Sequence, residues 1–198
     1  MSFRIEEKLF IKKENLIEFK EFLQNKSARE IYHPRIIESL YFDNINLDMY
    51  TDSKEGCTPR KKIRCRKYPN DNDKKIYLEV KNSSVEGRFK TRKILNNDEL
   101  DKKKSLGILD NQYGICYPKL YVKYKREYLI LDDVRISIDK EITYRDFKMN
   151  LELKDENIIV ELKTSHNKNL DELVNDFPIQ RIRFSKYCFA VEKLYNFN

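Results

Sequence analysis

The chain has 198 residues, with 40 Lys and Arg against 33 Asp and Glu and a formal net charge of +7. Hydrophobic residues make up 40%, including 11 Phe and 13 Tyr, which is enough apolar mass for a core and excludes a disordered chain. The charge favours an anionic partner (nucleic acid, phosphorylated ligand or membrane surface) but does not choose among them. Cys57, Cys65, Cys116 and Cys188 form no C-x-x-C pair and no zinc spacing, so reduced thiols in a reducing compartment are expected. His33 and His166 are isolated, which argues against a histidine metal site or a Ser-His-Asp triad. The start, MSFRIEEKLF, puts charges where a signal peptide needs an apolar run. No apolar stretch approaches the roughly 20 residues of a membrane helix. A cytoplasmic protein is expected, and with only 4 Gly, 5 Pro and no low-complexity linker, a single domain over residues 1–198.

In chain order, period-two alternation predicts strands at Phe3–Ile11, Ile36–Phe42, Thr58–Tyr68, Lys75–Asn82, Arg88–Leu95, Lys119–Leu131, Arg135–Glu141, Thr143–Phe147, Met149–Lys154 and Ile158–Thr164. Helical spacing predicts Glu14–Gln24, the short Asn97–Lys104 and Leu170–Asn175, and a closing helix over Ser185–Tyr195. Many antiparallel strands in one domain favour a barrel or sandwich.

The strand faces carry the chemistry. In RKKIRCRKY, Arg60, Lys62, Arg64 and Arg66 share one strand face, with Ile63 and Cys65 on the other. Same-face neighbours about 7 Å apart repel by roughly 2 kcal/mol at an effective dielectric near 20, so the row calls for water or a polyanion. Further rows hold Glu79 and Lys81; Arg88, Lys90 and Arg92; Arg135, Ser137 and Asp139; Glu161, Lys163 and Ser165; and Arg4, Glu6 and Lys8. One such row is ordinary for a sheet with one solvated face. At least five, each with Lys or Arg and several with Glu or Asp, suit a closed sheet whose cationic lumen accepts a phosphate chain and whose carboxylates hold a divalent ion.

The chain resembles the VTC domain, the polyphosphate polymerase branch of the triphosphate tunnel metalloenzymes, over nearly its whole length. The resemblance rests on R-I-E-E-K at Arg4–Lys8, S-L-Y-F-D-N at Ser39–Asn44 with Leu47 and Tyr50 in the helix after it, I-R-C-R at Ile63–Arg66, L-E-V-K at Leu78–Lys81 and F-K-T-R at Phe89–Arg92. It continues through P-K-L-Y-V-K-Y-K-R at Pro118–Arg126, R-I-S-I-D at Arg135–Asp139, V-E-L-K at Val160–Lys163 and F-S-K-Y at Phe184–Tyr187. It implies an eight-stranded antiparallel tunnel barrel with flanking helices, mainly β. It also implies transfer of the γ-phosphoryl of ATP to a growing polyphosphate chain, with Mn²⁺ or Mg²⁺. The implied catalytic set is Lys8, Arg64, Arg66, Lys81, Arg126, Arg135 and Lys186. Arg60, Lys62, Lys90, Arg92, Tyr124, Lys163 and Ser185 are the implied phosphate contacts, and Glu161 and Glu6 the implied metal ligands.

Four points stay open. Arg4 stands where triphosphate hydrolases of the superfamily often carry Glu, which leans toward the polymerase branch. Charge counting would turn Lys119, Tyr121, Lys123 and Lys125 inward, whereas the resemblance chooses the row of Arg126. Lys90 and Arg92 compete for one role, and Glu152-Leu153-Lys154 duplicates the E-x-K of Glu161. No counterpart of the sensing domain and membrane helices of eukaryotic relatives is expected beside this domain, so membrane coupling is expected to need a separate partner protein. Rival activities are triphosphate hydrolysis and nucleotide cyclisation, which would use nearly the same lining. A basic module binding nucleic acid is a third alternative, disfavoured by Glu79, Asp139 and Glu161 within the rows.

Overall fold

Alternating apolar and charged residues dictate strands wherever they run for eight residues or so, and the computed structural model, which describes residues 4–165 and 180–195, is mainly an antiparallel sheet. Its strands are β1 (Arg4–Ile11), β2 (Arg29–Asp43), β3 (Arg60–Lys67), β4 (Ile76–Ser84), β5 (Gly87–Leu95), β6 (Ile108–Asp110), β7 (Gly114–Leu131), β8 (Val134–Asp146), β9 (Glu152–Asp155), β10 (Ile158–Ser165) and β11 (Gln180–Arg181). The helices are α1 (Leu16–Asn25), α2 (Asp48–Glu55), α3 (Asn97–Leu106) and α4 (Lys186–Tyr195), with a 3-10 turn at Lys13–Asn15. The sheet order is β11-β1-β10-β8-β7-β2-β3-β4-β5, with β6 on β7 and β9 on β8. The mainly-β class matches the sequence reading, but there are eleven strands among the described residues where eight were expected.

The described residues group into two compact units. The first is drawn from Met1–Arg35, Tyr124–Ile142 and Asp155–Phe184, the second from Ile36–Lys123, Thr143–Lys154 and Ser185–Asn198. In the first, the apolar faces of β1, β8 and β10 (Leu9, Ile136, Ile138, Val160, Leu162) pack with Phe19 and Leu23, one turn apart on α1. In the second, Leu40, Phe42, Ile63, Cys65 and Ile76 pack with Met49 of α2 and with Tyr113 and Cys116.

The differences from the sequence reading have local causes. β2 begins at Arg29 rather than Ile36 because its first half is exposed and lacks an apolar row. β7 starts at Gly114, ahead of the expected Lys119, since Pro118 weakened the strand signal. The two strands expected over Arg135–Phe147 are one, β8, in which Lys140 interrupts the apolar row and Glu141 takes a positive φ of 54° without ending the strand. Met149 is not in a strand: the Asp146 carboxylate accepts the backbone N–H groups of Lys148 (2.7 Å) and Met149 (2.5 Å) and makes a turn there. β6 and β11 are too short to leave a pattern. The predicted helix at 170–175 and His166 lie outside the described residues.

Two devices set helix ends in the second unit. Asn96 and Glu99 form a reciprocal capping box at the start of α3. Gly107 ends that helix at φ +81°, where an added Cβ would come within 2.7 Å of Ile115 Cγ2.

Candidate active site

The polar rows form two fields, one in each unit. In the second unit, β3, β4 and β5 pair in register, so that Arg64, Glu79 and Arg92 lie side by side, as do Lys62, Lys81 and Lys90, and Arg60, Ser83 and Arg88. Directly opposed residues point to the same face. That face therefore carries Arg60, Lys62, Arg64, Arg66, Lys81, Arg88, Lys90 and Arg92, eight cations, around the single carboxylate of Glu79.

Glu79 is fully buried. Its Oε2 accepts from Arg64 Nε (2.9 Å) and Nη2 (2.7 Å), Arg66 Nη1 stands 3.8 Å from the same oxygen, and Lys90 Nζ and Arg92 Nε (3.5 Å) meet Oε1. Burial would raise the carboxyl pKa, but Arg64, Arg66 and Lys90 outweigh it and hold it at about 2. The row opened by Arg60 thus has an internal counter-ion that strand alternation did not reveal, and Arg64 and Arg66 are buried rather than bathed in water.

The neighbouring strand adds two groups missed from sequence. Tyr41 Oη accepts from Arg64 Nη1 (3.0 Å), and Ser39 Oγ accepts from Arg66 Nε (3.1 Å). Both follow from register, Tyr41 lying opposite Arg64 and Ser39 opposite Arg66. Lys62 Nζ donates to Ser185 Oγ (2.9 Å), and burial lowers the Lys62 pKa. Lys186 is half-buried in the first turn of α4. Arg60 is drawn off: its Nη1 donates to the carbonyls of Gly56 (3.2 Å) and Cys57 (2.8 Å). Lys90 and Arg92 both reach Glu79.

In the first unit the field is mixed. Lys8, Glu161 and Ser137 are in register across β1, β10 and β8, and so are Glu6, Lys163 and Arg135. Glu161 is buried and meets Lys163 Nζ (2.7 Å) and Arg126 Nη2 (3.4 Å). Arg126 is also gripped by Asp139, with Nε on Oδ1 (2.5 Å) and Nη2 on Oδ2 (2.6 Å). Its guanidinium lies 5.3 Å from the centre of the buried Tyr124 ring. The row of Tyr124 and Arg126 is the inner one, while Lys123 is exposed.

Glu6 hydrogen-bonds to Glu161. Burial, that bond and the Glu161 charge raise the Glu6 carboxyl. Burial works against ionisation of Glu161 too, but the bond from Glu6 together with Arg126, Lys163 and Lys8 holds it well below the usual range. Lys8 Nζ donates to the carbonyl of Phe184 (2.7 Å), and Arg135 is exposed. Glu7, out of place in an apolar row, pairs with Arg181 Nε at 3.1 Å. Glu152 is exposed on β9. Among the described residues no three His, Cys, Asp or Glu side chains converge as a metal cage. The Glu6–Glu161 pair offers two hard oxygen ligands, which fits an ion that takes its remaining ligands from water and phosphate.

The sheet thus gathers rows of cations around buried carboxylates, and guanidinium and ammonium groups of this kind are suited to charge-assisted hydrogen bonds with anionic oxygens. A family model for the VTC domain matches residues 3–195, and the chain belongs to that family. No curated protein matches the sequence significantly. Among solved structures it is similar to a presumed adenylate cyclase of Bacillus halodurans (12% identity, TM-score 0.62, 97% of each chain covered). Another similar structure is a presumed adenylate cyclase of Vibrio parahaemolyticus (13%, 0.56, covering 93% of this chain and 95% of that one). A third is a Pyrococcus horikoshii protein (16%, 0.52, 99% and 92%). At these identities the likeness is one of fold. No helix among the described residues is long and apolar enough to cross a membrane.

Proposed function

We propose that the chain is a polyphosphate polymerase that transfers the γ-phosphoryl group of ATP to the end of a polyphosphate chain. The observation that carries the reading is the contrast within one family domain: eight cations around one carboxylate on β3–β5, and a carboxylate pair beside Arg126 and Lys163 on β1 and β10. Phosphoryl transfer asks little covalent chemistry of a protein and much positioning and charge neutralisation. Arg64, Arg66, Lys62, Lys81 and Lys90 hold non-bridging phosphate oxygens, and Arg64 and Arg66 are already oriented by Glu79, Tyr41 and Ser39. In the first unit, Arg126, fixed by Asp139, and Lys8, Lys163 and Arg135 are further cations able to hold phosphate oxygens. Glu161 and Glu6 would hold Mn²⁺ or Mg²⁺, which supplies charge neutralisation at the transferred group when bound.

The test is product analysis after incubation with ATP and Mn²⁺, with and without a polyphosphate primer. A lengthening polyphosphate ladder is expected, and free phosphate alone would turn the reading to a triphosphatase. The names of the Bacillus and Vibrio neighbours keep nucleotide cyclisation as the second reading, which cyclic AMP as product would select.

A further inference from the structure

Tyr41 orients Arg64 in the phosphate reading, but that reading leaves the phenol's own proton unused. Its oxygen accepts from Arg64 Nη1 at 3.0 Å, and a hydroxyl that accepts from a cation still has its own proton to give. Among the described residues no acceptor takes that proton. The side chain is nearly buried, at 6% exposure, and its ring lies against Tyr187 with centroids 5.1 Å and planes 16° apart.

Tyr187 is itself anchored. Its hydroxyl donates to Asp43 Oδ2 (2.6 Å), and the same carboxylate accepts from the backbone N–H groups of Asn44 (2.8 Å), Met49 (3.0 Å) and Tyr50 (3.0 Å). Asp43 therefore ties the first turn of α2 to α4, and the stacked pair ties α4 to β2. Stacking on an anchored partner fixes the direction of the Tyr41 ring and so of its hydroxyl. Burial would raise the Tyr41 pKa, but Arg64, Arg66 and Lys62 bring it below its ordinary value. The hydroxyl thus sits in a positive field, where the complementary acceptor is an anion.

We propose that Tyr41 is a further phosphate-contacting residue, its hydroxyl donating to a phosphoryl oxygen while accepting from Arg64, with Asp43 and Tyr187 holding its ring in place. The proposal rests on the reading of the β3–β5 face as a phosphate site and adds a neutral donor to it. A neutral donor contributes direction where lysines contribute only charge.

The test titrates inorganic triphosphate into wild type, Tyr41→Phe, Arg64→Ala, Tyr187→Leu and the Tyr41→Phe/Tyr187→Leu pair by calorimetry, and melts each without ligand. Tyr41→Phe keeps the ring and the stack and removes one oxygen, so affinity falls about tenfold, as for one hydrogen bond to a charged group. The melting temperature of that variant falls only modestly, because Arg64 Nη1 loses a neutral acceptor while Glu79 still holds the guanidinium through Nε and Nη2. Tyr187→Leu weakens binding in the wild-type background and adds nothing in the Tyr41→Phe background, the non-additivity expected of a group that acts through another. Wild-type affinity in Tyr41→Phe with weakened binding in Arg64→Ala overturns the assignment of Tyr41 and leaves the phosphate site standing. Wild-type affinity in both overturns the phosphate reading of the face. A Tyr41→Phe chain that melts far below wild type yet binds triphosphate unchanged marks a merely structural hydroxyl and also overturns the proposal.

Discussion

Two E-x-K strands lie at the centres of two different fields. L-E-V-K on β4 puts Glu79 among cations alone, with Arg64, Arg66, Lys90 and Arg92 all within 4 Å of its oxygens. V-E-L-K on β10 puts Glu161 beside Lys163 and Arg126 but also beside Glu6, and Asp139 already holds Arg126. The tetrapeptides are nearly the same, yet the first glutamate is a counter-ion inside an anion-binding surface and the second is half of a carboxylate pair. What differs is register: Glu79 faces Arg64 and Arg92 across the ladder, whereas Glu161 faces Lys8 and Ser137, with Glu6 two residues along β1 from that lysine. A short motif fixes which side chain points inward, and the strands beside it decide what that side chain does.

Neutralising each glutamate in turn separates the two roles. Glu161→Gln should have the largest effect on chemistry, removing metal-dependent turnover by a factor on the order of a thousand, the scale of a lost transition-state electrostatic contact. Triphosphate binding should persist, because the cations of β3–β5 are untouched. Asp139 still pairs Arg126 in the variant, so the fold should hold. Loss of both turnover and triphosphate affinity would show Glu161 to be structural, and the metal would then belong elsewhere.

Glu79→Gln should act the other way, mainly on stability. Removing one partner from a buried ion cluster leaves its cations uncompensated and costs about 3–5 kcal/mol. Melting without ligand should fall sharply, and added triphosphate should recover part of the loss, since a ligand that binds only the folded state stabilises it. An unchanged melting temperature would mean that the cations are balanced by water and not by Glu79.

Acid gives the same comparison without mutation. The Glu79 carboxyl stands at about 2 in the folded chain, below its ordinary 4.5. A folded pKa lowered in this way means that ionised Glu79 stabilises the fold in full above about 4.5. The contribution drains away as pH falls from there toward 2, and over the whole window it is on the order of 3 kcal/mol. Denaturant melts of wild type and Glu79→Gln at a series of pH values should therefore converge between pH 4.5 and 2. A gap that stays constant across that window would contradict the depressed pKa.

Alternation placed nearly every long strand, because burying one face of a strand forces period two into the sequence, but on β7 charge counting favoured the row of Lys123, which is exposed, over the row of the buried Tyr124. Alternation could not show that Arg64 and Arg66 are satisfied within the chain. Their partners Glu79, Tyr41 and Ser39 lie on other strands, and pairing register is a tertiary fact. Arg60 illustrates the opposite failure: its parity matched the row, but the carbonyls of Gly56 and Cys57 claim its guanidinium. The first half of β2 left no trace because both its faces are exposed. α2 was legible only through the family resemblance, since its start is organised by the Asp43 carboxylate and not by an apolar stripe.

The smallest expected effect belongs to the third E-x-K, Glu152-Leu153-Lys154 on β9. By pattern alone it is the equal of the other two. By position it is not: Glu152 and Lys154 are both exposed, while Glu79 and Glu161 are buried. A divalent ion that must work at a phosphoryl group needs ligands fixed near it and partly shielded from bulk water, and an exposed carboxylate on a four-residue strand provides neither. Glu152→Gln should change stability by less than about 0.5 kcal/mol, as surface substitutions usually do. Turnover measured with ATP and Mn²⁺ should stay within about twofold of wild type. If Glu152→Gln removes turnover and Glu161→Gln does not, the metal sits on β9 and the pairing of Glu6 with Glu161 is a structural feature of the sheet.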